Sequence, residues 1–280
     1  MRILDFQVNM RYLLSSILVV GSVIVGCTDS ANKETKDIPD APDFAIFYVS
    51  GHDGPLDGEP SKSYLDNPDE AGPAITKALR QFGYKIVEGY FVDDAFSIDG
   101  VGGYLALVKV LRFVDENFVE HGTRIIIVAH SHGGVWAHSA IEALSSVPIY
   151  CLVDLDVSSY GWGVTGHDLQ NAYISGDPRG KYYLPYIVDD DPTSDKDPYY
   201  DVEDVIFDNV KYALEIRSGD YPPLGPEYYD EKWNVRLSGG KDGVWRKFTN
   251  TSHGEVHKGF GETISFVSQW MLSVIADDSK

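Results

Sequence analysis

Ser131 is the side chain in this sequence best placed for nucleophilic chemistry, within the run Ala129-His130-Ser131-His132-Gly133-Gly134. A serine hydroxyl hardly ionises at neutral pH. It attacks a carbonyl only when a base takes its proton and hydrogen-bond donors receive the charge that develops on oxygen. A sharp turn from a buried strand into a helix meets these needs. It exposes the side chain, places amides of the first helical turn beside the reacting oxygen, and requires small flanking residues because the backbone is strained and closely approached. The flanks here are Ala129 on one side and Gly133 and Gly134 on the other. The simpler role for a serine in this position is to cap the helix.

The elements on either side have the character this turn demands. Residues 124–129 (RIIIVA) form a continuous β-branched run suited to a strand buried on both faces, and 135–145 continue as a helix. The same alternation extends through the chain. Phe44–Ser50, 84–91, Ile149–Leu155, 210–216 and 245–249 read as strands, and 73–82, 102–119 and 260–275 as helices. In 102–119, Leu105, Val108, Leu111 and Val114 recur at helical spacing, as do Ile264, Val267, Met271 and Val274 in the last helix. Strand alternating with helix predicts an α/β domain over 43–280, with a mostly parallel sheet covered by helices on both faces. The stretch 157–204 breaks the pattern with Gly, Tyr, Pro and Asp, and is expected to be an excursion over the sheet. Its aromatics, Tyr160, Trp162, Tyr173, Tyr182, Tyr183 and Tyr186, suit a cap over an apolar pocket.

The Ser131 run, in its place between strand and helix, resembles the nucleophile elbow of α/β-hydrolases, in particular the lipase and esterase branches with His-Ser-x-Gly-Gly. Ala129 replaces the commoner first glycine. The resemblance implies an α/β-hydrolase fold, Ser131 as nucleophile and the amide of His132 as one half of an oxyanion hole. The turn Val49-Ser50-Gly51-His52-Asp53-Gly54 is similar to the family's other oxyanion turn and implies the amide of His52 as the second half. The family order places the base after the last strand, where Ser252-His253-Gly254-Glu255-Val256-His257 lies. His253 follows the strand immediately; His257, nearer the helix, is the alternative. For the acid two positions remain open. Asp220 follows the strand at 210–216, and Asp156 follows Ile149–Leu155, with Asp154 on the same face as Asp156 should that strand continue. The implied activity is hydrolysis of carboxylic esters through an acyl-enzyme, a chemistry that needs no cofactor. A different reading keeps the fold without catalysis, as a surface lipoprotein that binds a glycan or a protein partner through the same aromatics.

The amino terminus reads as an address. Arg2 and Arg11 precede an uncharged stretch, 12–25, short for a membrane span and suited to a signal peptide. It ends in Ile24-Val25-Gly26-Cys27, which resembles the lipobox of bacterial lipoproteins and implies cleavage after residue 26, a lipid on Cys27 and a place in the bacterial cell envelope. Residues 28–42 are polar and fit a solvated tether between lipid and domain. A formal charge of -20 repels phosphate backbones and excludes nucleic acid as a partner, leaving a small-molecule or lipid ester and the membrane as expected partners. Asp189, Asp190, Asp191, Asp195 and Asp197 form an acidic run without the glycine and terminal glutamate of a calcium loop, so no metal is expected there. Cys151 sits in an apolar run and reads as a buried hydrophobe rather than a reactive thiol.

Overall fold

The computed structural model describes residues 41–51, 63–92, 102–157, 205–219, 234–238 and 242–279. Cys27, His52, Asp220, the acidic run at 189–197 and the excursion beyond residue 157 lie outside them.

Six strands form one parallel sheet in the order β2-β1-β3-β4-β6-β8. They are β1 (Phe44–Ser50), β2 (Ile86–Val92), β3 (Arg124–His130), β4 (Ile149–Leu155), β6 (Val210–Arg217) and β8 (Val244–Phe248). A two-residue strand β5 (Val205–Ile206) pairs with β7 (Val235–Arg236) in a separate small sheet. Every residue of β1 and β4 is buried, as a parallel strand covered on both faces requires.

Side-chain alternation divides the core in two. On one face Ala45, Phe47 and Val49 of β1 and Ile125 and Ile127 of β3 pack against helices α2 (Gly102–Phe118) and α3 (Gly133–Ala143). On the other, Phe44, Ile46 and Tyr48, with Ile126 and Val128, meet α1 (Ala71–Gln81) and α4 (Glu262–Asp277). Val108, Leu111 and Val114 of α2, three members of the stripe read from the sequence, are buried, as are Ile264, Val267, Met271 and Val274 of α4. The side chain of Leu105, the fourth member in α2, lies outside the described residues, and Leu107 is buried without having been read as part of the stripe. Helix α1 starts at Ala71, two residues before the expected boundary. Pro73 therefore lies in the first turn, where its missing N–H would have had no intrahelical partner.

Register sets where the strands end. His130 of β3 is opposite Leu155 of β4, Leu155 is opposite Ile216 of β6, and Arg217 is opposite Phe248 of β8. The next residues, Ser131, Asp156, Ser218 and the loop leading to His253, consequently emerge at one edge, the carboxyl end of the sheet. Ligands of open parallel sheets bind at that edge.

Candidate active site

The turn after β3 is built by strain and close approach. Ser131 has φ +54°, a conformation that costs a non-glycine residue free energy and persists only when its surroundings enforce it. Here they do: the Ser131 N–H donates to the Leu155 carbonyl at 3.3 Å, and the Ser131 carbonyl accepts from Gly134 at 3.0 Å, starting α3. A Cβ on Gly133 would stand 2.3 Å from the Val49 carbonyl oxygen, so only glycine lets the helix start lie against β1. Gly51, at the end of β1, closes the other side. A Cβ there would come within 2.8 Å of Ser131 Cβ and 2.9 Å of the His132 nitrogen. The His132 amide thus stands at the amino end of α3, where aligned peptide dipoles favour negative charge.

His253 and Asp156 complete a hydrogen-bonded chain. His253 Nε2 is 3.1 Å from Ser131 Oγ, and its Nδ1 is 2.7 Å from Asp156 Oδ2. An ionised carboxylate only accepts, so Nδ1 carries the proton and Nε2 is left to accept from the serine hydroxyl. Asp156 is fully buried, a costly position for a charge unless its lone pairs are satisfied. Its Oδ1 accepts the Ser218 N–H at 2.7 Å, and its own N–H donates to the Ile216 carbonyl at 2.7 Å. With φ +49°, Asp156 breaks the alternation of β4 and turns its carboxylate towards His253. Asp154, which would share its face only if the strand continued, is therefore separated from the histidine. It pairs instead with the buried His138 at 3.1 Å and accepts from Asn234 at 2.6 Å. Burial opposes a charge on His138, yet the Asp154 carboxylate raises its pKa. The N–H of its other nitrogen, Nδ1, donates to the Val205 carbonyl at 3.0 Å.

The structure separates the two histidines considered as base. His257 does not pair with Ser131; its Nδ1 donates to Glu70 at 2.5 Å, at the start of α1, where Lys258 also pairs with the same carboxylate. Burial keeps the His257 pKa below its ordinary value even beside Glu70. Of the two aspartates, Asp156 stands against His253, while Asp220 lies outside the described residues, as does His52.

Three residues join the site without having been singled out in the sequence. His130 and Tyr64 are hydrogen-bonded to one another, Tyr64 Oη accepts the Gly51 N–H at 3.1 Å, and His130 Nε2 donates to the His253 carbonyl at 3.1 Å. Ser218 supplies the amide that holds Asp156. His130 was visible only as the neighbour of the nucleophile; Tyr64, 66 residues from its partner, had no local signal.

A parallel sheet with helices on both faces, a strained serine turn after the central strand β3, an acid directly after β4 and a histidine in the loop after β8 define the α/β-hydrolase architecture. No protein-family model and no curated protein matches the sequence. Among solved structures, the chain is similar to one described with the metagenome-derived lipolytic enzymes LipS and LipT: 14% identity, TM-score 0.44, covering 85% of this chain and 95% of that one. It is also similar to an esterase of Pyrococcus furiosus, at 12% identity and TM-score 0.43, over 83% and 82% of the two chains. A sugar hydrolase of Lactococcus lactis matches at 12% identity and TM-score 0.46, over 85% and 90%.

Among the described residues, no group of three or more His, Cys, Asp or Glu is arranged to hold a metal ion, and no helix is long and apolar enough to cross a membrane.

Proposed function

We propose that this protein is a serine hydrolase that cleaves carboxylic esters through an acyl-enzyme. The observation that carries the reading is the chain Ser131 Oγ, His253 and Asp156, with contacts of 3.1 and 2.7 Å and a single consistent placement of protons. In the first half-reaction Ser131 Oγ bonds to the ester carbonyl carbon while its proton passes to His253 Nε2. The carbonyl π pair moves to oxygen, and the His132 amide at the start of α3 donates to it. Asp156 holds the imidazole in orientation and stabilises its transient positive charge. Collapse of this intermediate expels the alcohol, which leaves with the proton from His253. Water then loses a proton to His253 and attacks the acyl carbon, and Ser131 recovers its proton as the acid departs.

The reading is tested by turnover of a chain-length series of p-nitrophenyl esters. Ser131→Ala, His253→Ala and Asp156→Asn should each remove most of the activity, whereas His257→Ala should retain activity that His253→Ala lacks. Equal turnover by wild type and Ser131→Ala would defeat it.

We also propose export and lipid attachment at Cys27, supported by Ile24-Val25-Gly26-Cys27 at the end of an uncharged segment. In a bacterial host, Cys27→Ser should move the protein from the membrane fraction to the soluble one; unchanged membrane association would contradict lipid anchoring at this residue.

A further inference from the structure

Tyr64 and His130 form a directional series of hydrogen bonds. The His253 carbonyl can only accept, so His130 Nε2 carries the proton in the 3.1 Å contact between them. His130 is buried, and burial, followed by the proximity of His257 and His253, holds its pKa well below the usual histidine range. Its ring is accordingly neutral, Nδ1 is an acceptor, and the Tyr64 hydroxyl donates to it. Tyr64 Oη then has a lone pair for the Gly51 N–H, 3.1 Å away. The donors run one way, from Gly51 to Tyr64, from Tyr64 to His130, and from His130 to the backbone of His253.

The two ends of this series are the two places where the proposed reaction is least tolerant of displacement. Gly51 directly follows β1 and lies against Ser131 and the His132 amide, at the turn implicated in oxyanion binding. His253 supplies the base from a loop outside regular secondary structure. The rings reinforce the connection, with His130 4.9 Å from His253 and Tyr64 edge-on to His130 at 5.5 Å. Beyond it, His257 and Lys258 hold the same loop to Glu70, and the Gly259 N–H donates to the Asp69 carbonyl at 2.8 Å. We infer that Tyr64 and His130 are positioning residues, which couple the oxyanion turn at Gly51 to the loop carrying His253 so that both are set at once around Ser131. This inference rests on the serine-hydrolase reading.

The test compares two buried tyrosines in the full-length protein. Tyr64→Phe removes the link between Gly51 and His130; Tyr48→Phe removes the hydroxyl of another buried tyrosine, 2.9 Å from Thr76 Oγ1 and outside this series. On p-nitrophenyl esters, Tyr64→Phe should lower kcat roughly ten- to hundredfold with KM within about twofold, because misplacement of reacting groups is felt in the transition state. Tyr48→Phe should lower the melting temperature but leave kcat within about twofold of wild type. His130→Gln retains an N–H able to reach the His253 carbonyl and should keep more of kcat than His130→Ala, which decides the matter should Tyr64→Phe not fold. An active wild type whose kcat is unaffected by Tyr64→Phe, or equal kcat in the two His130 variants, overturns the positioning role alone. A wild type that neither turns over esters nor reacts with a fluorophosphonate overturns the hydrolase reading, and the positioning role with it.

Discussion

Replacing Gly51 by alanine adds one methyl group at the most crowded point of the site. The new Cβ would lie 2.8 Å from Ser131 Cβ, 2.9 Å from the His132 nitrogen and 3.0 Å from the His130 carbonyl oxygen, where ordinary contacts begin near 3.4 Å. All three atoms belong to the backbone or first side-chain carbon of the elbow, so none rotates away. The turn after β1 and the elbow must separate by about half an ångström, and a displacement of ~1 Å in a reacting group costs about a hundredfold in rate. The methyl also stands beside the His132 amide, and loss of one oxyanion donor costs about 10² to 10³ in kcat. Together these place the expected fall in kcat near 10²-fold, or ~2.7 kcal/mol on the barrier. The clash is confined to one turn, so the melting temperature should drop by only a few degrees. Gly254→Ala, where a methyl meets nothing within 4 Å among the described residues, is the control and should leave kcat within about twofold. Stopped-time hydrolysis of a short p-nitrophenyl ester, with thermal denaturation of each variant, gives both quantities. A folded Gly51→Ala protein with kcat within about threefold of wild type would refute the reasoning that this approach shapes the oxyanion site.

Asp156→Asn preserves shape but presents an amide to His253, which no longer secures the proton on Nδ1; kcat should fall about 10⁴-fold, and a loss under about tenfold would show that the carboxylate is dispensable. Glu142 has a buried carboxyl oxygen without a partner among the described residues, and burial pushes its pKa up to about 7. The unfolded chain ionises this group first, so its stabilising effect is complete below about pH 4.5 and disappears as pH rises towards 7. Glu142→Gln should therefore raise the melting temperature at pH 8 but not at pH 4, and an unchanged difference between those pH values would refute this. Cys151 is fully buried and burial pushes its thiol up, so iodoacetamide should modify it only after denaturation; modification of the native protein at the rate of the unfolded chain would contradict its burial.

The parts of the architecture legible in the sequence were those governed by local pattern. Residues 124–129 and Ile149–Leu155 announced strands buried on both faces because a parallel sheet leaves no polar side to interrupt the apolar run. The stripes of α2 and α4 followed from helical spacing. Helix starts were less sharp, as at α1, where nothing marks Ala71 over Pro73. Strands β5 and β7, of two residues each, are too short to carry a period.

The site was legible where one segment contained its own chemistry, as in His130-Ser131-His132-Gly133-Gly134, and less so where distant segments meet. Two aspartates followed plausible strands, and the meeting of His253 with Asp156 depends on the register of β4, β6 and β8 and on the positive φ of Asp156. Nothing in the sequence near residue 154 reveals that β4 ends one residue beyond it, and Asp154 shares a face with Asp156 only where the strand continues. Tyr64 and Glu70 find their histidines 66 and 187 residues away, and no spacing rule reaches that far.

The most direct test of the account is covalent labelling by a fluorophosphonate, followed by mass-spectrometric location of the adduct, since such probes react with a serine only when a neighbouring base activates it. The account predicts one adduct, on Ser131, abolished by Ser131→Ala and strongly slowed by His253→Ala. Absence of labelling in the folded wild-type protein, or an adduct on another residue that survives Ser131→Ala, would contradict it.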